Sequence, residues 1–150
     1  MKKLPIYFIL TMLFSLFVLY GCSYKAVFST TMKKSTFDTI QKNRQAKSPD
    51  EIEIFNYGST PKKPYVIIGT MEAPKVQWTA LYTRADLIDA LKKKAAEIGA
   101  DAIINVRDQQ NPTGGYNYNA NTFAYFKNLY MWGDAIIYVS PQEKKRIEEQ

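Results

Sequence analysis

The sequence predicts an α+β fold, with a single mixed sheet of three to five strands and one main helix, at about residues 84–98, packed on one face. Three observations support this. First, one segment has helical periodicity and capping signals at both ends. Second, short apolar segments rich in β-branched residues lie on both sides of that segment. In addition, 150 residues with a hydrophobic share of 46% suit one domain with its own core.

Two strands are predicted before the helix. Residues 51–55 alternate between polar and apolar side chains, as a half-buried strand does. Residues 58–64 contain Gly58, Pro61 and Pro64 and indicate a turn. Residues 65–71 are nearly all apolar, which favours a central strand covered on at least one face.

The helix is the clearest element. Thr83 is a suitable N-cap, Asp86 completes a sequence similar to a capping box, and Gly99 stands where a left-handed C-cap residue is expected. Lysines 92–94 indicate a solvated face. The apolar stripe that should meet the sheet consists of Leu87, Ile88, Leu91, Ala95 and Ile98.

Two further strands are predicted at residues 101–106 and 134–139, which share the pattern Asp-Ala-Ile-Ile-x-Val. If they pair antiparallel, residues 107–133 form a hairpin excursion that begins with a turn at 111–115 and partly extends the sheet. The excursion is rich in aromatic residues, which suit either cross-strand packing or a binding surface. The candidate binding residues are Tyr116, Tyr118, Tyr125, Tyr130 and Trp132.

The first 22 residues indicate export. A basic start is followed by residues 4–20, which carry no charge and would span roughly 25 Å as a helix. This run ends in Leu19-Tyr20-Gly21-Cys22, which resembles the lipobox of bacterial lipoproteins. The resemblance implies a signal peptide at 1–21, cleavage between Gly21 and Cys22, and attachment of acyl chains such as palmitate to Cys22.

Two alternatives to a lipid anchor remain open, namely an uncleaved membrane helix and a plain signal peptide. All three place the rest of the chain outside the cytoplasm, because Lys2 and Lys3 stay inside. Ser23 gives no Asp-type retention signal after Cys22, which favours the outer membrane, facing the periplasm.

The remaining chain divides into three parts. Residues 22–50 are expected to be a tether or a loosely docked segment with a short helix near 37–44, partly covering the sheet's other face. Residues 51–140 form the α/β domain, and 141–150 form a charged tail. Removing 1–21 lowers the formal charge from +6 to +4. This modest charge either favours anionic envelope partners, such as lipid headgroups or acidic glycans, or has no functional meaning, and no nucleic acid partner is expected for an exported chain.

The composition leaves little catalytic chemistry. With 0 His and 1 Cys, the chain has no Ser-His-Asp triad, no Cys-His pair and no histidine or thiolate metal site. Glu51 and Glu53 are interpreted as the polar side of one strand. We expect no enzyme, no cofactor and no metal.

The expected function is a non-catalytic binding or accessory module, anchored by lipid, that docks an envelope protein through residues 116–132. The alternative is a structural or stress-sensing lipoprotein positioned by its tether. An envelope hydrolase using Lys, Tyr or carboxylates is a weaker third candidate.

The helix that ends in Gly99-Ala100-Asp101-Ala102-Ile103-Ile104, with strands on both sides, resembles two families. One is the domain of the outer-membrane lipoproteins that sense envelope stress for the Rcs phosphorelay, and the other is the YbjQ-type proteins. The similar stretch covers about 52–106 and the last strand. The resemblance implies a small α/β envelope fold. The disulfides of the stress sensors have no counterpart here, because Cys22 is the only cysteine.

Overall fold

The computed structural model describes residues 25–74, 76–77, 83–117 and 122–149, without the side chains of 76–77, 111–117 and 122–127. The predicted signal peptide, its cleavage site at Gly21 and Cys22, and Tyr118 lie outside the described residues.

One mixed sheet forms the centre of the fold, as the sequence predicts. Its five main strands lie in the order β1-β3-β6-β5-β2, and a two-residue strand, β4, also pairs with β6. The β2–β5 pair is parallel and the other pairs are antiparallel. The strands are β1 (Val27–Thr30), β2 (Glu53–Asn56), β3 (Tyr65–Glu72), β4 (Val76–Gln77), β5 (Ala102–Asn117) and β6 (Thr122–Tyr138).

Three α-helices pack on one face of this sheet, where the sequence predicts one main helix. They are α1 (Lys34–Lys42), α2 (Arg84–Glu97) and α3 (Pro141–Glu148), and a single 3₁₀ turn covers Pro49–Glu51. Helix α2 is the longest of them. Phe37, Ile40 and Ile147, from α1 and α3, pack against the same core as α2. Within the described residues, no helix has the length and apolar character needed to cross a membrane.

Local signals define α2 at both ends. The Asp86 carboxylate accepts hydrogen bonds from the Thr83 amide at 2.6 Å and the Thr83 hydroxyl at 2.8 Å. Gly99 follows the helix with φ +66°, a conformation that glycine adopts without strain. The predicted stripe faces the sheet, and Leu91 at its centre is 0% exposed.

The two predicted late strands are antiparallel neighbours, paired from Ala102–Ile136 to Asn117–Thr122. The predicted turn at residues 111–115 is wrong, because these residues belong to β5 and pair with residues 124–128 of β6. Pro112 and the two glycines after it suggest a turn. However, β5 has no outer partner strand beyond residue 106 among the described residues, and an edge strand tolerates a proline.

Residues 25–50, the N-terminal segment, dock on the helix face and at the edge of the sheet. Strand β1 pairs with β3, and Phe28 stacks on Phe37 of α1 with ring centroids 5.4 Å apart. A Cβ on Gly69 would lie 2.4 Å from both the Phe28 ring and the Ser29 carbonyl, so β1 needs glycine there. The expectation that this segment covers the opposite face is wrong, because the apolar side of α1 packs against the main core.

A buried carboxylate fastens the end of this segment. Asp101, 7% exposed, lies 2.5 Å from the Arg44 guanidinium, also binds the Lys47 ammonium, and accepts a hydrogen bond from the Tyr138 amide at 2.6 Å. Burial acts to raise the pKa of Asp101, but Lys47, the Tyr138 amide and Arg44 together hold that pKa below its ordinary value. Asp101 therefore stays ionised and ties residues 44–47 to the start of β5.

Candidate functional site

The second face of the sheet carries no helix among the described residues, and we call it the open face. Alternate residues of β6 line it, because side chains two apart on a strand share a face. Beneath it, Ala102, Ile104 and Ile136 form a small buried cluster bordered by aromatic side chains. The β6 residues of the open face are Asn128, Tyr130, Trp132, Asp134, Ile136 and Tyr138.

Tyr130 and Trp132 form an aromatic pair near the middle of β6. Their ring centroids are 5.2 Å apart with the planes tilted by 39°, and both side chains are half-buried. Burial raises the pKa of Tyr130, and the hydrogen bond and charge of Glu72 raise it further. The pair thus presents a wide apolar surface next to an exposed carboxylate.

Tyr138 marks the other end of the open face. Its hydroxyl donates to the Glu53 carboxylate on β2 at 2.8 Å, and the Lys63 ammonium lies 5.1 Å from its ring centroid. Burial first, then the Glu53 hydrogen bond and the charges of Glu53 and Asp101, raise the pKa of Tyr138 to about 12. The phenol therefore stays protonated at physiological pH and fixes the position of Glu53.

A bulge in β5 places polar groups between these two aromatic regions. The register shifts between Ile104 and Arg107, and Asn105 has φ +54°, in the left-handed region. The Asn105 amide donates to Asp134 at 2.9 Å, and the Thr70 hydroxyl donates to the other oxygen of Asp134 at 3.2 Å. The carboxylate is thereby oriented on the open face by neighbours on both sides.

Beyond the bulge, Arg107 stacks on Tyr57. The guanidinium carbon lies 3.6 Å from the ring centroid, and Tyr57 is 64% exposed. This geometry is a cation–π contact at an exposed site. It adds an aromatic group and a cation to the rim of the open face.

Of the predicted binding residues, the structure brings Tyr130 and Trp132 together on one surface. Tyr116 and Tyr125 belong to β5 and β6, but their side chains lie outside the described residues, as does all of Tyr118. Sequence reasoning missed Tyr138 and Asp134. Both continue the alternation that starts at Tyr130, and that alternation was a signal available in the sequence.

The described residues contain no group of three carboxylate or thiol side chains placed to hold a metal ion. Glu51 lies in the 3₁₀ turn, where it accepts from the Ser48 amide at 2.9 Å, whereas Glu53 lies in β2. The expectation that the two glutamates share one strand is therefore wrong. What the open face offers chemically is apolar contact, carboxylate acceptors and two cations over aromatic rings, Arg107 over Tyr57 and Lys63 over Tyr138.

A cleft of about 460 Å³ lies on the helix side of the sheet, between α1 and α3 and above Ile137. Hydroxyl groups of α1 line one wall, and Glu143 and Arg146 line the other. It mixes both charges, and no polar side-chain atom buried in the described part of the chain lacks a hydrogen-bond partner.

No protein-family model, curated protein or solved structure matches this chain. The similarity to the Rcs stress-sensor lipoproteins and the YbjQ-type proteins therefore stays a prediction, as does the lipobox.

Proposed function

We propose that the protein is a lipid-anchored, non-catalytic module of the bacterial cell envelope that docks an envelope protein through its open face. The observation that carries this proposal is the half-buried pair Tyr130 and Trp132 on a sheet face without a helix among the described residues. Aromatic side chains in such positions are enriched in protein interfaces, since they bury a large area at a small entropic cost.

The charges of the open face suggest what such a partner presents. Glu53, Glu72 and Asp134 are carboxylates on this face, and the cations Arg107 and Lys63 lie over Tyr57 and Tyr138. A partner with a protruding apolar side chain, and with lysine or arginine side chains opposite Glu72 and Asp134, would be complementary to the region around Tyr130 and Trp132. The membrane attachment in this proposal comes from Cys22, and its location is the outer membrane, facing the periplasm.

The alternative, a structural or stress-sensing lipoprotein positioned by a tether, receives no support from the described part of residues 22–50. Residues 27–30 pair with β3, and Arg44 and Lys47 bind Asp101. Shortening residues 29–48 would therefore remove part of β1, all of α1 and both cations. A loss of function in that deletion would not separate a tether from a folding defect.

Two measurements test the proposal. The intact mass of membrane-extracted protein should begin at Cys22 and include acyl chains, and a Cys22→Ala variant should lack them. A full-length mass that retains residues 1–21 would instead indicate an anchor helix.

For the docking surface, a photo-crosslinking amino acid is placed in living cells at position 132 or at exposed position 93 on α2. We expect a discrete adduct with one envelope protein from position 132 and none from 93. Tyr130→Ala should abolish the adduct while the domain stays folded, as judged by its circular dichroism spectrum. Equal adducts from both positions would refute a specific open-face interface.

A further inference from the structure

After the predicted signal peptide, the net positive charge of the chain belongs to one segment. Residues 25–50 contain six Lys or Arg and two Asp, whereas residues 51–150 contain twelve basic and twelve acidic residues. The whole +4 therefore belongs to the N-terminal segment. A net charge concentrated in this way creates a local field that the rest of the molecule does not cancel.

The fold divides these six cations into two groups. Arg44 and Lys47 turn inward to Asp101. The other four cations belong to exposed lysine residues, namely Lys25, Lys33, Lys34 and Lys42. The inward side of α1 is fixed by Phe37 and Ile40, which pack against the core.

Lys34 and Lys42 lie on the outer side of α1. They are eight residues apart and so stand about 12 Å apart along one side of the helix. Asp38 lies between them and is exposed as well. This outer side of α1, together with Lys25 and Lys33, is here named the basic face.

The distance to the predicted anchor is short. Lys25 is three positions after Cys22, a reach of at most about 11 Å even when fully extended. If acyl chains on Cys22 are inserted in a bilayer, the start of β1 lies close to the headgroups. Charges within about 10 Å of an anionic surface are only partly screened at physiological salt.

We propose that the basic face rests on an anionic phospholipid surface. This inference depends on the proposed lipid anchor and adds an orientation to it. The helices then face the membrane, and the open face on the other side of the sheet points away from the membrane, towards a protein partner. Phospholipid is favoured over an acidic glycan because the anchor holds the basic face next to headgroups at all times.

The test uses the full acylated chain in vesicles of phosphatidylcholine, alone or mixed with phosphatidylglycerol. Acylation blocks Cys22, so an introduced cysteine is the only free thiol in the chain. A spin label is attached at Ser35→Cys on α1 or, as a control, at Gln109→Cys, an exposed position of β5. Its relaxation by a nickel-chelating lipid reports the distance to the headgroups.

In the mixed vesicles we expect strong relaxation at position 35 and weak relaxation at position 109. At high salt this difference between the two positions should disappear. Each lysine near an anionic surface contributes about five-fold to the population of the docked orientation, so Lys34→Gln with Lys42→Gln should lower it about 25-fold. Lys34→Gln alone should lower the docked population about five-fold, and its matched control, Lys62→Gln, removes one charge from the loop before β3 and should change nothing.

Three results would overturn the proposal. Equal relaxation at positions 35 and 109 would mean no fixed orientation, and relaxation that ignores phosphatidylglycerol would mean no role for anionic lipid. If an added acidic polysaccharide, but not phosphatidylglycerol, changes the relaxation at position 35, the basic face binds a glycan and not a phospholipid surface. The intact mass of the same sample separates these failures from failure of the proposed function, because a sample without acyl chains refutes the anchor itself.

Discussion

Replacing Asp101 with Asn should lower the free energy of unfolding by about 2–3 kcal/mol at neutral pH. Asp101 is 7% exposed and holds two cations of the N-terminal segment. Removing one partner of a buried ion pair typically costs about 3–5 kcal/mol, because it leaves an uncompensated charge. Here Arg44 and Lys47 are 25% and 34% exposed, so water partly replaces the lost carboxylate and the cost is smaller.

The pH dependence of the same substitution follows from the lowered pKa of Asp101. A carboxyl with a lowered pKa in the folded state stabilises the protein above its unfolded pKa of about 3.9. That contribution disappears as the pH falls through the folded value. The difference in unfolding free energy between wild type and Asp101→Asn should therefore be largest at neutral pH and shrink below about pH 4.

The assay is urea unfolding of the detergent-solubilised chain, followed by circular dichroism at several pH values. Asp89→Asn is the matched control, because Asp89 is exposed on α2 and should change stability by less than about 0.5 kcal/mol. Equal losses for the two variants, or a difference at Asp101 that does not vary with pH, would refute the reasoning.

Two further predictions concern α2 and the open face. Leu91→Ala should cost about 2–5 kcal/mol because Leu91 is 0% exposed in the core, whereas the exposed control Lys93→Ala should cost less than about 0.5 kcal/mol; equal melting shifts would contradict the packing of α2. An ultraviolet titration should show a tyrosine ionising near a pKa of about 12, and Tyr138→Phe should remove that component. If the component lost in Tyr138→Phe instead titrates near the ordinary tyrosine pKa of about 10, burial and Glu53 do not restrain the phenol.

The sequence predicts α2 well because its signals are local. The contacts of Thr83 with Asp86, the apolar stripe and Gly99 all lie within one helix length, so periodicity and capping rules describe them completely. Strand β3 and the first part of β5, as far as residue 106, are also predicted, since continuous apolar runs leave few alternatives. For these elements local preference and tertiary environment agree.

What could not be predicted depends on distant partners. Arg44 is 57 residues from Asp101, and nothing near either residue indicates the pair. Without that contact, residues 25–50 have the composition of a tether. Likewise, the residues 111–115 contain strong turn signals, and only the long pairing with β6 overrides them.

In the candidate site, too, the sequence predicts one feature and does not predict another. Tyr130 and Trp132 were predicted because aromatic density is visible in the sequence. The Asn105 bulge was not, since an asparagine in the left-handed region gives no pattern in a strand of ordinary composition. Only the structure shows that this bulge orients Asp134 beside Thr70.

The position of β6 has a consequence for how the protein tolerates truncation. In the order β1-β3-β6-β5-β2, the last strand in the chain is the one that joins the two halves of the sheet. A fragment that stops before residue 122 retains two separate two-stranded ribbons, each marginal in water alone. Assembly of the complete sheet therefore waits for β6, and fragments that end before residue 122 should not fold cooperatively.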